Sequence, residues 1–202
     1  MSINTTTAHR ALSCAFIALS AFAPSHAQLA SENKNFTHAD SLRGTITPDR
    51  AWWDVTHYDV TVAPQYERHF LKCKTTIRFT VLQADHHMRV DLQQPLVVTQ
   101  VLWNDTVIES FVREGDQLYV DFPRDLSPGS NGALTIIYEG LVRVAKNPPW
   151  DGGWIFTTDS KGQPWMTAAC QGIGARVWYP CKDRQRDEPD SAALHVIAPT
   201  AL

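Results

Sequence analysis

Apolar and polar residues alternate along most of the chain after Trp52, with the period of two that is typical of β-strands. In the segment 76–81, Ile77, Phe79 and Val81 fall on one face and polar side chains fall on the other. The same alternation recurs at Val60 and Val62, at Val90 and Leu92, and at Leu118, Val120 and Phe122. Strands of this kind bury one face and leave the other in water, so the pattern predicts an antiparallel sheet.

Turn signals separate the predicted strands, because Gly, Asn and Pro supply the backbone angles that tight turns need. They delimit strands over residues 96–103, 106–113, 117–122, 133–139, 153–158 and 164–169. No stretch of ten or more residues carries a helical apolar stripe, and no repeat of fixed period is present. We therefore predict an all-β fold, a meander of hairpins that closes as an antiparallel sandwich or curved sheet.

The N-terminus has the pattern of a secretory signal peptide. Residues 11–23 form an apolar core of the right length, and small residues precede a cleavage point after Ala27. We assign residues 1–27 to this signal, which predicts export to the periplasm or beyond the cell. Residues 28–50 are polar and aperiodic, so we expect a mobile lead-in, followed by the folded domain over residues 51–202.

Composition narrows the function classes. The 202 residues carry 18 Lys and Arg against 21 Asp and Glu, a net charge of −3, which lacks the basic excess of a nucleic-acid-binding protein. No apolar run reaches the roughly 18 residues of a membrane-spanning helix. Cys73, Cys170 and Cys181 follow the signal, and we expect three buried, small apolar residues. One disulfide stays open as an alternative, with Cys170 and Cys181 the nearest pair in sequence.

Motifs that carry catalysis or bind metals are absent from the sequence. It contains no HExxH, no CxxC pair and no GxSxG. His86 and His87 are neighbours, and adjacent side chains on a strand point to opposite faces, so we interpret them as part of a solvated turn. The acidic cluster 187–190 is interpreted as a solvated loop paired with Arg184 and Arg186. We therefore predict no catalytic residue and no metal site in this chain.

Two segments suggest a binding surface. The segment 147–154 holds Trp150 and Trp154 between two prolines and two glycines, which is typical either of a packed loop or of a surface that docks a ligand or another domain. In the segment 166–183, a strand of small residues ends at Gln171 and a glycine-rich turn follows. A neutral amide at such a strand end can direct a donor and an acceptor into a cleft.

Five segments, in this order, resemble the N-terminal domain of the aminopeptidase N family of zinc metallopeptidases (gluzincins), especially its exported bacterial members. They are THYDV at 56–60, LKCKTTIRFTVL at 71–82, RVDLQQPL at 89–96, PPWDGGW at 148–154 and TAACQGIGARVWYPCKDRQRDEPD at 167–190. The resemblance covers about residues 51–202. It implies a saddle-shaped all-β domain over a thermolysin-like catalytic domain of the same polypeptide, which binds the zinc. The motifs of that catalytic domain do not occur in this sequence.

The resemblance also implies a substrate contact. Gln171 matches the position at which the family's N-terminal domain reaches into the cleft, near the free α-amino group of the peptide substrate. An amide oxygen that accepts a hydrogen bond from an ammonium group contributes about 1.5–3 kcal/mol. Gly172 and Gly174 would let the backbone approach the peptide closely. The other matched positions are expected to form scaffold, with an ion pair between Arg176 and Asp183; they are Pro149, Trp150, Asp151, Gly152, Gly153, Arg176, Pro180 and Asp183.

The leading hypothesis is therefore the cleft-lining N-terminal domain of an exported zinc aminopeptidase, inactive by itself. The family's domain continues past Pro199, so we expect an incomplete β-domain in which at least one strand lacks its neighbour. An alternative is a free-standing secreted β-sandwich that binds a ligand such as carbohydrate, with Trp150 and Trp154 stacking on sugar faces. A regulatory partner of a complete aminopeptidase is a third hypothesis, which rests on the resemblance alone.

Overall fold

A computed structural model describes residues 45–184 and 186–198, and these residues form an all-β fold, as predicted. The regular elements are one short helix and eleven strands: α1 (Pro48–Ala51), β1 (Trp53–Gln65), β2 (Phe70–Val81), β3 (Asp85–Asp91), β4 (Val97–Trp103), β5 (Thr106–Ile108), β6 (Phe111–Glu114), β7 (Gln117–Leu126), β8 (Asn131–Leu141), β9 (Gly153–Thr158), β10 (Pro164–Ala169) and β11 (Ser191–Val196). Single 3-10 turns cover Tyr66–Arg68 and Ala175–Val177. None of the helices in the described residues is long and apolar enough to span a membrane.

The strands form three sheets. A six-stranded sheet has the order β11-β1-β2-β8-β4-β5, a three-stranded sheet has the order β3-β7-β6, and β9 and β10 form a hairpin. Every pairing is antiparallel except that of β1 with β11, which is parallel. The predicted meander of sequential hairpins is wrong in this respect. The chain crosses to the small sheet twice, at β3 and at β6 and β7, and on its second return it places β8 between β2 and β4.

Alternating residues build the core as predicted. Ile77, Phe79 and Val81 on β2 are at most 1% exposed, and the inward residues of β7 are buried opposite them. Trp52 joins the two sheets: its ring lies edge-on to Phe79 of β2 and to Phe122 of β7, each at a centroid distance of 6.1 Å. Aromatic pairs favour this edge-to-face geometry, which fixes how the two sheets pack.

The strand predicted over residues 106–113 is divided in the structure. The Asn104–Asp105 turn has positive φ at both residues and closes the β4–β5 hairpin as expected. The strand is interrupted at Glu109 and Ser110, because β5 pairs with β4 in the large sheet and β6 pairs with β7 in the small one.

The structure also differs at the end of the predicted lead-in 28–50. Residues 48–51 form α1, and Arg50 is fully buried, where its guanidinium forms an ion pair with Asp91. Arg89 lies 3.1 Å from the same carboxylate, and all three side chains are 0% exposed. The remainder of the lead-in through residue 44 and the signal assigned to residues 1–27 lie outside the described residues.

The three cysteines in the described part of the chain are free thiols. Cys73 and Cys181 are buried as expected, and burial raises the pKa of Cys73 to about 11. The expectation of burial is wrong for Cys170, which is exposed because β10 has ended and the chain turns outward at this point.

Candidate functional site

The two segments that the sequence marks for binding lie against each other. A Cβ atom on Gly152 would lie 2.1 Å from Cγ1 of Ile173 and 2.8 Å from the carbonyl oxygen of Gln171. Only a glycine permits so close an approach of two loops. Residues 147–152 and residues 170–174 therefore form one surface feature, which we call the two-loop platform.

The first loop of the platform is held by backbone hydrogen bonds and presents a tryptophan. The carboxylate of Asp151 accepts hydrogen bonds from the backbone N–H groups of Lys146 and Asn147, both at 2.6 Å. These bonds, that of Lys146 foremost, lower the pKa of Asp151. The N–H of Trp150 donates to the carbonyl of Asn147 at 2.9 Å. The Trp150 side chain, 81% exposed, stands on this ordered turn.

The second loop turns sharply after β10. The carbonyl of Cys170 accepts hydrogen bonds from the N–H groups of Ile173 at 3.3 Å and Gly174 at 2.9 Å. Gly172 and Gly174 have φ of 72° and 73°, the left-handed region that glycine adopts without strain. Ile173 points inward at 9% exposure, whereas Gln171 is exposed at the tip of the loop. A Cβ on Gly172 would meet no atom within 4 Å, so this tip faces open space.

A buried arginine supports the second loop from beneath. The Nε of Arg176 donates to the carbonyl of Ile173 at 2.9 Å. Its guanidinium forms the expected ion pair with Asp183, 3.6 Å from Oδ2, and lies 3.7 Å from the carboxylate of Asp116. A Cβ on Gly174 would lie 2.4 Å from Oδ1 of Asp183, so glycine is required at this contact. Asp116 was not predicted as part of this site, because it lies about 60 residues earlier in the chain, in the β6–β7 turn.

The remaining matched residues lie around this base. Pro149 is exposed beside Trp150 in the first loop, and Pro180 is buried just before the bridge between Cys181 and Asp91. Gly153 begins β9 with φ of 152°, and a Cβ there would lie 2.5 Å from the backbone nitrogen of Ala145. These residues thus shape and support the two-loop platform.

Trp154 contradicts the carbohydrate hypothesis in the form stated above. Its side chain is only 6% exposed and stacks on Phe156 at a centroid distance of 6.4 Å. It forms part of the core, so it cannot pair with Trp150 on a sugar face. The expectation of two exposed tryptophans in this segment is wrong, because β9 turns Trp154 inward.

The platform offers binding groups and lacks a reactive one. Partial burial raises the pKa of the Cys170 thiol, which keeps it protonated and weakly nucleophilic at neutral pH. Within the described ranges, no group of three or more His, Cys, Asp or Glu side chains could hold a metal ion. His86 and His87 lie in β3 rather than in a solvated turn, and their rings contact Asp125 at 2.7 Å and Asp121 at 2.5 Å.

A second buried ion pair anchors the segment that leads from the platform to β11. The ammonium of Lys182 donates to the carbonyl of Trp53 at 2.5 Å, lies 4.6 Å from the centroid of that indole and forms an ion pair with Asp187. The side chains of Lys182 and Asp187 are 4% and 5% exposed. Asp187 therefore contradicts the predicted solvated acidic loop. Burial lowers the pKa of Lys182, and the Asp187 carboxylate opposes this shift.

Asp54 lies beside this anchor and has a raised pKa. Burial and then the neighbouring Asp187 carboxylate raise the pKa of Asp54. Because the folded protein holds the proton of Asp54 more tightly than the unfolded chain, protonation of Asp54 favours the folded state. This contribution to stability is complete below the unfolded pKa of 3.8 and is lost as pH rises through the higher pKa of the folded state. We expect Asp54→Asn to gain stability relative to wild type as pH rises from 3.8 to 7. Urea unfolding at a series of pH values measures this. Asp105→Asn, on the exposed β4–β5 turn, is the control, and parallel curves for Asp54→Asn and wild type would contradict the prediction.

The sequence and the fold match one family of proteins. The Peptidase M1 N-terminal domain family model matches residues 55–195, more than half of the chain. The chain therefore belongs to this family, and the resemblance to the aminopeptidase N family that five sequence segments indicated is confirmed. A solved mutant of a two-domain M1 zinc metallopeptidase bound to L-arginine is 25% identical, with a TM-score of 0.59, over 74% of this chain and 33% of that chain.

Two further solved structures share the fold. An M1 zinc metallopeptidase from Deinococcus radiodurans is 22% identical, with a TM-score of 0.58, over 79% of this chain and 34% of its own. A mutant of a Deinococcus radiodurans M1 zinc metallopeptidase bound to a Tyr-Ser-Ala substrate is 23% identical, with a TM-score of 0.55, over 74% and 33%. This chain thus spans about one third of the length of the structures it matches. Among curated proteins, none matches it.

Proposed function

We propose that this chain is the N-terminal domain of an exported M1 aminopeptidase and that its two-loop platform lines the substrate cleft. The observation that carries the proposal is the exposed Gln171 amide, which stands at an open loop tip on a base fixed by Ile173 and Arg176. Membership of the M1 N-terminal domain family supports it. So do the matched metallopeptidase structures, which were solved with an amino acid or a short peptide bound.

Gln171 would recognise the free end of a peptide. Its side-chain oxygen accepts hydrogen bonds, and the α-ammonium group of a peptide donates up to three. The open space beside Gly172 lets a peptide approach the loop backbone as well as the side chain. Because the loop is already ordered, little conformational entropy is lost when the peptide binds.

The hydrolytic chemistry is assigned to another domain. The relatives are zinc metallopeptidases, and the described residues of this chain provide no cluster that fits the metal. We propose that a thermolysin-like catalytic domain, in the same polypeptide, holds the zinc and that the platform packs at its cleft. In this arrangement the residues of this chain bind and orient the peptide and take no part in the covalent step.

Export is the second part of the proposal. The apolar segment 11–23 and the small residues before the cleavage point after Ala27 support a signal peptide. The mature protein would then act on peptides in the periplasm or outside the cell. N-terminal sequencing of the protein recovered from that compartment tests this assignment, and a first residue other than Gln28 would contradict the cleavage point.

The role of Gln171 is tested in the full-length gene product with aminoacyl p-nitroanilide substrates. Loss of a hydrogen bond to an ammonium group, about 1.5–3 kcal/mol, corresponds to a fall of about 10- to 150-fold in kcat/KM for Gln171→Ala. Gln171→Glu retains the acceptor and adds a negative charge, so we expect it to retain most of the activity. Gln83→Ala, in the exposed connection between β2 and β3, is the matched control.

Two results would contradict different parts of the proposal. Equal kcat/KM for Gln171→Ala and wild type would show that Gln171 does not bind the substrate. A full-length gene product that hydrolyses no aminoacyl substrate in the presence of zinc would remove the aminopeptidase assignment itself.

A further inference from the structure

The tip of the second platform loop has little stiffness of its own. Ile173, the residue that anchors it, lies between Gly172 and Gly174, and both glycines have a φ in the left-handed region. Glycine restricts the backbone less than any other residue, so two glycines around one anchor let the chain pivot there. The position of Gln171 at the tip therefore depends on the contacts that hold Ile173 in place.

Ile173 is held by one contact of its side chain and one of its backbone. Its side chain, 9% exposed, packs against Gly152 of the first loop. Its carbonyl accepts a hydrogen bond of 2.9 Å from Nε of Arg176. The apolar contact has no preferred direction, whereas a hydrogen bond to a carbonyl is directional. The direction in which Arg176 presents its Nε–H group therefore orients the loop tip.

Asp116 orients the Arg176 guanidinium from the small sheet. It lies in the β6–β7 turn, and its Oδ2 is 3.7 Å from Nη1 of Arg176. A guanidinium is planar and holds its N–H groups in a rigid fork, so an anchor at Nη1 also constrains the direction of Nε. Only 4% of the Arg176 side chain is exposed, and ion pairs that are partly buried are screened less by salt than exposed ones.

The carboxylate of Asp116 is itself held by the connection between β3 and β4. Its Oδ1 accepts hydrogen bonds from the backbone N–H of Gln94 at 2.9 Å and from the side-chain amide of Gln93 at 3.2 Å. Asp183, the other carboxylate beside Arg176, belongs to the same segment as the loop. Asp116 is therefore the carboxylate that ties Arg176 to the small sheet.

We propose that Asp116 is a positioning residue that acts through Arg176 to hold Gln171 in place for the α-ammonium group of a peptide. The link between Arg176 and the loop tip is the carbonyl of Ile173. The inference rests on the proposed function of Gln171 and adds to it a residue that touches no substrate.

Asp116→Asn tests this role in the full-length gene product with aminoacyl p-nitroanilide substrates. Asparagine keeps the size of the side chain and an oxygen for the Gln94 N–H, but it removes the charge that attracts Arg176. We expect kcat/KM to fall about 3- to 10-fold, mainly through a higher KM, because a misplaced binding group weakens its contact with bound substrate. Asp116→Glu restores the charge and should recover most of the loss.

The same substitution in the Gln171→Ala background separates positioning from a structural role. Once the amide is gone there is nothing left to position, so Asp116→Asn should then change kcat/KM by less than about 2-fold. Asp159→Asn, in the β9–β10 turn, is the matched control and should leave kcat/KM unchanged. The Asp159 carboxylate also accepts backbone N–H groups, and within the described ranges it forms no ion pair.

Amide hydrogen exchange supplies a readout that does not depend on activity. The N–H groups of Ile173 and Gly174 donate to the carbonyl of Cys170, so their exchange reports on the order of the loop. Peptides that cover residues 170–176 should exchange faster in Asp116→Asn than in wild type. Peptides that cover the β9–β10 turn should exchange equally in both.

The possible results distinguish this inference from the proposed function. A loss of kcat/KM in Gln171→Ala without one in Asp116→Asn would overturn the positioning role and leave the proposed function intact. Equal losses from Asp116→Asn in the two backgrounds, or unchanged exchange over residues 170–176, would also overturn it. Unchanged kcat/KM in Gln171→Ala would overturn the proposed function and the positioning role together.

Discussion

Replacing Asp91 with alanine is expected to lower the free energy of unfolding by about 3–5 kcal/mol, the typical cost of breaking a buried ion pair from one side. The carboxylate of Asp91 lies between the guanidinium groups of Arg50 and Arg89, and all three side chains are fully buried. Its removal leaves two buried positive charges without the carboxylate between them. Urea unfolding at neutral pH, followed by tryptophan fluorescence and circular dichroism, measures the loss.

Asp125→Ala is the matched control for this experiment. The carboxylate of Asp125 lies 2.7 Å from Nδ1 of His86, but the two side chains are 66% and 52% exposed. Exposed pairs contribute about 0–1 kcal/mol, so this variant should unfold close to wild type. A loss below 1 kcal/mol for Asp91→Ala would show that the buried arginines find other compensation and would contradict the prediction.

Local alternation explains why most strands could be predicted from sequence. A half-buried strand repeats its environment every two residues, so Ile77, Phe79 and Val81 identify both a strand and its inward face. Strand order is a different kind of information, because it depends on pairing between segments that are distant in sequence. The local alternation of apolar and polar residues therefore does not predict the position of β8 between β2 and β4 or the parallel pairing of β11.

Arg50 shows where the sequence pattern fails. A polar, aperiodic segment with an arginine is typical of a solvated lead-in, and arginine is seldom buried without a partner. The partner here is Asp91, which lies 41 residues further along the chain. Arg50 can be buried only because β3 brings that carboxylate next to α1. No local feature of the sequence around Arg50 predicts this contact.

The candidate site was predictable in its parts and unpredictable in its assembly. Glycine, proline and aromatic residues marked the two loops, because they indicate special turns and costly exposed rings. The contact between them depends on Gly152 and Ile173, and Ile173 has the sequence pattern of an ordinary apolar residue. Trp150 and Trp154 looked equivalent in sequence, yet one is 81% exposed and the other 6%.

Replacing Lys182 with alanine is expected to cost about 3–5 kcal/mol of stability, because it leaves the buried Asp187 carboxylate without its cation. Asp54 lies beside Asp187, so the variant also brings two carboxylates together without the ammonium that attracts both. Asp187→Ala should cost less. It leaves the Lys182 ammonium with the Trp53 carbonyl, the face of that indole and the Asp54 carboxylate.

A double variant distinguishes a broken ion pair from a lost packing contact. Lys182→Met with Asp187→Leu removes both charges and fills similar volume, and such replacements of buried pairs are often neutral or stabilising. We expect the double variant to unfold within about 1 kcal/mol of wild type, with strong coupling between the two positions in a double-mutant cycle. Additive losses would mean that the two side chains act through separate packing contacts. Asp187 would then hold the segment before β11 by its shape rather than by its charge.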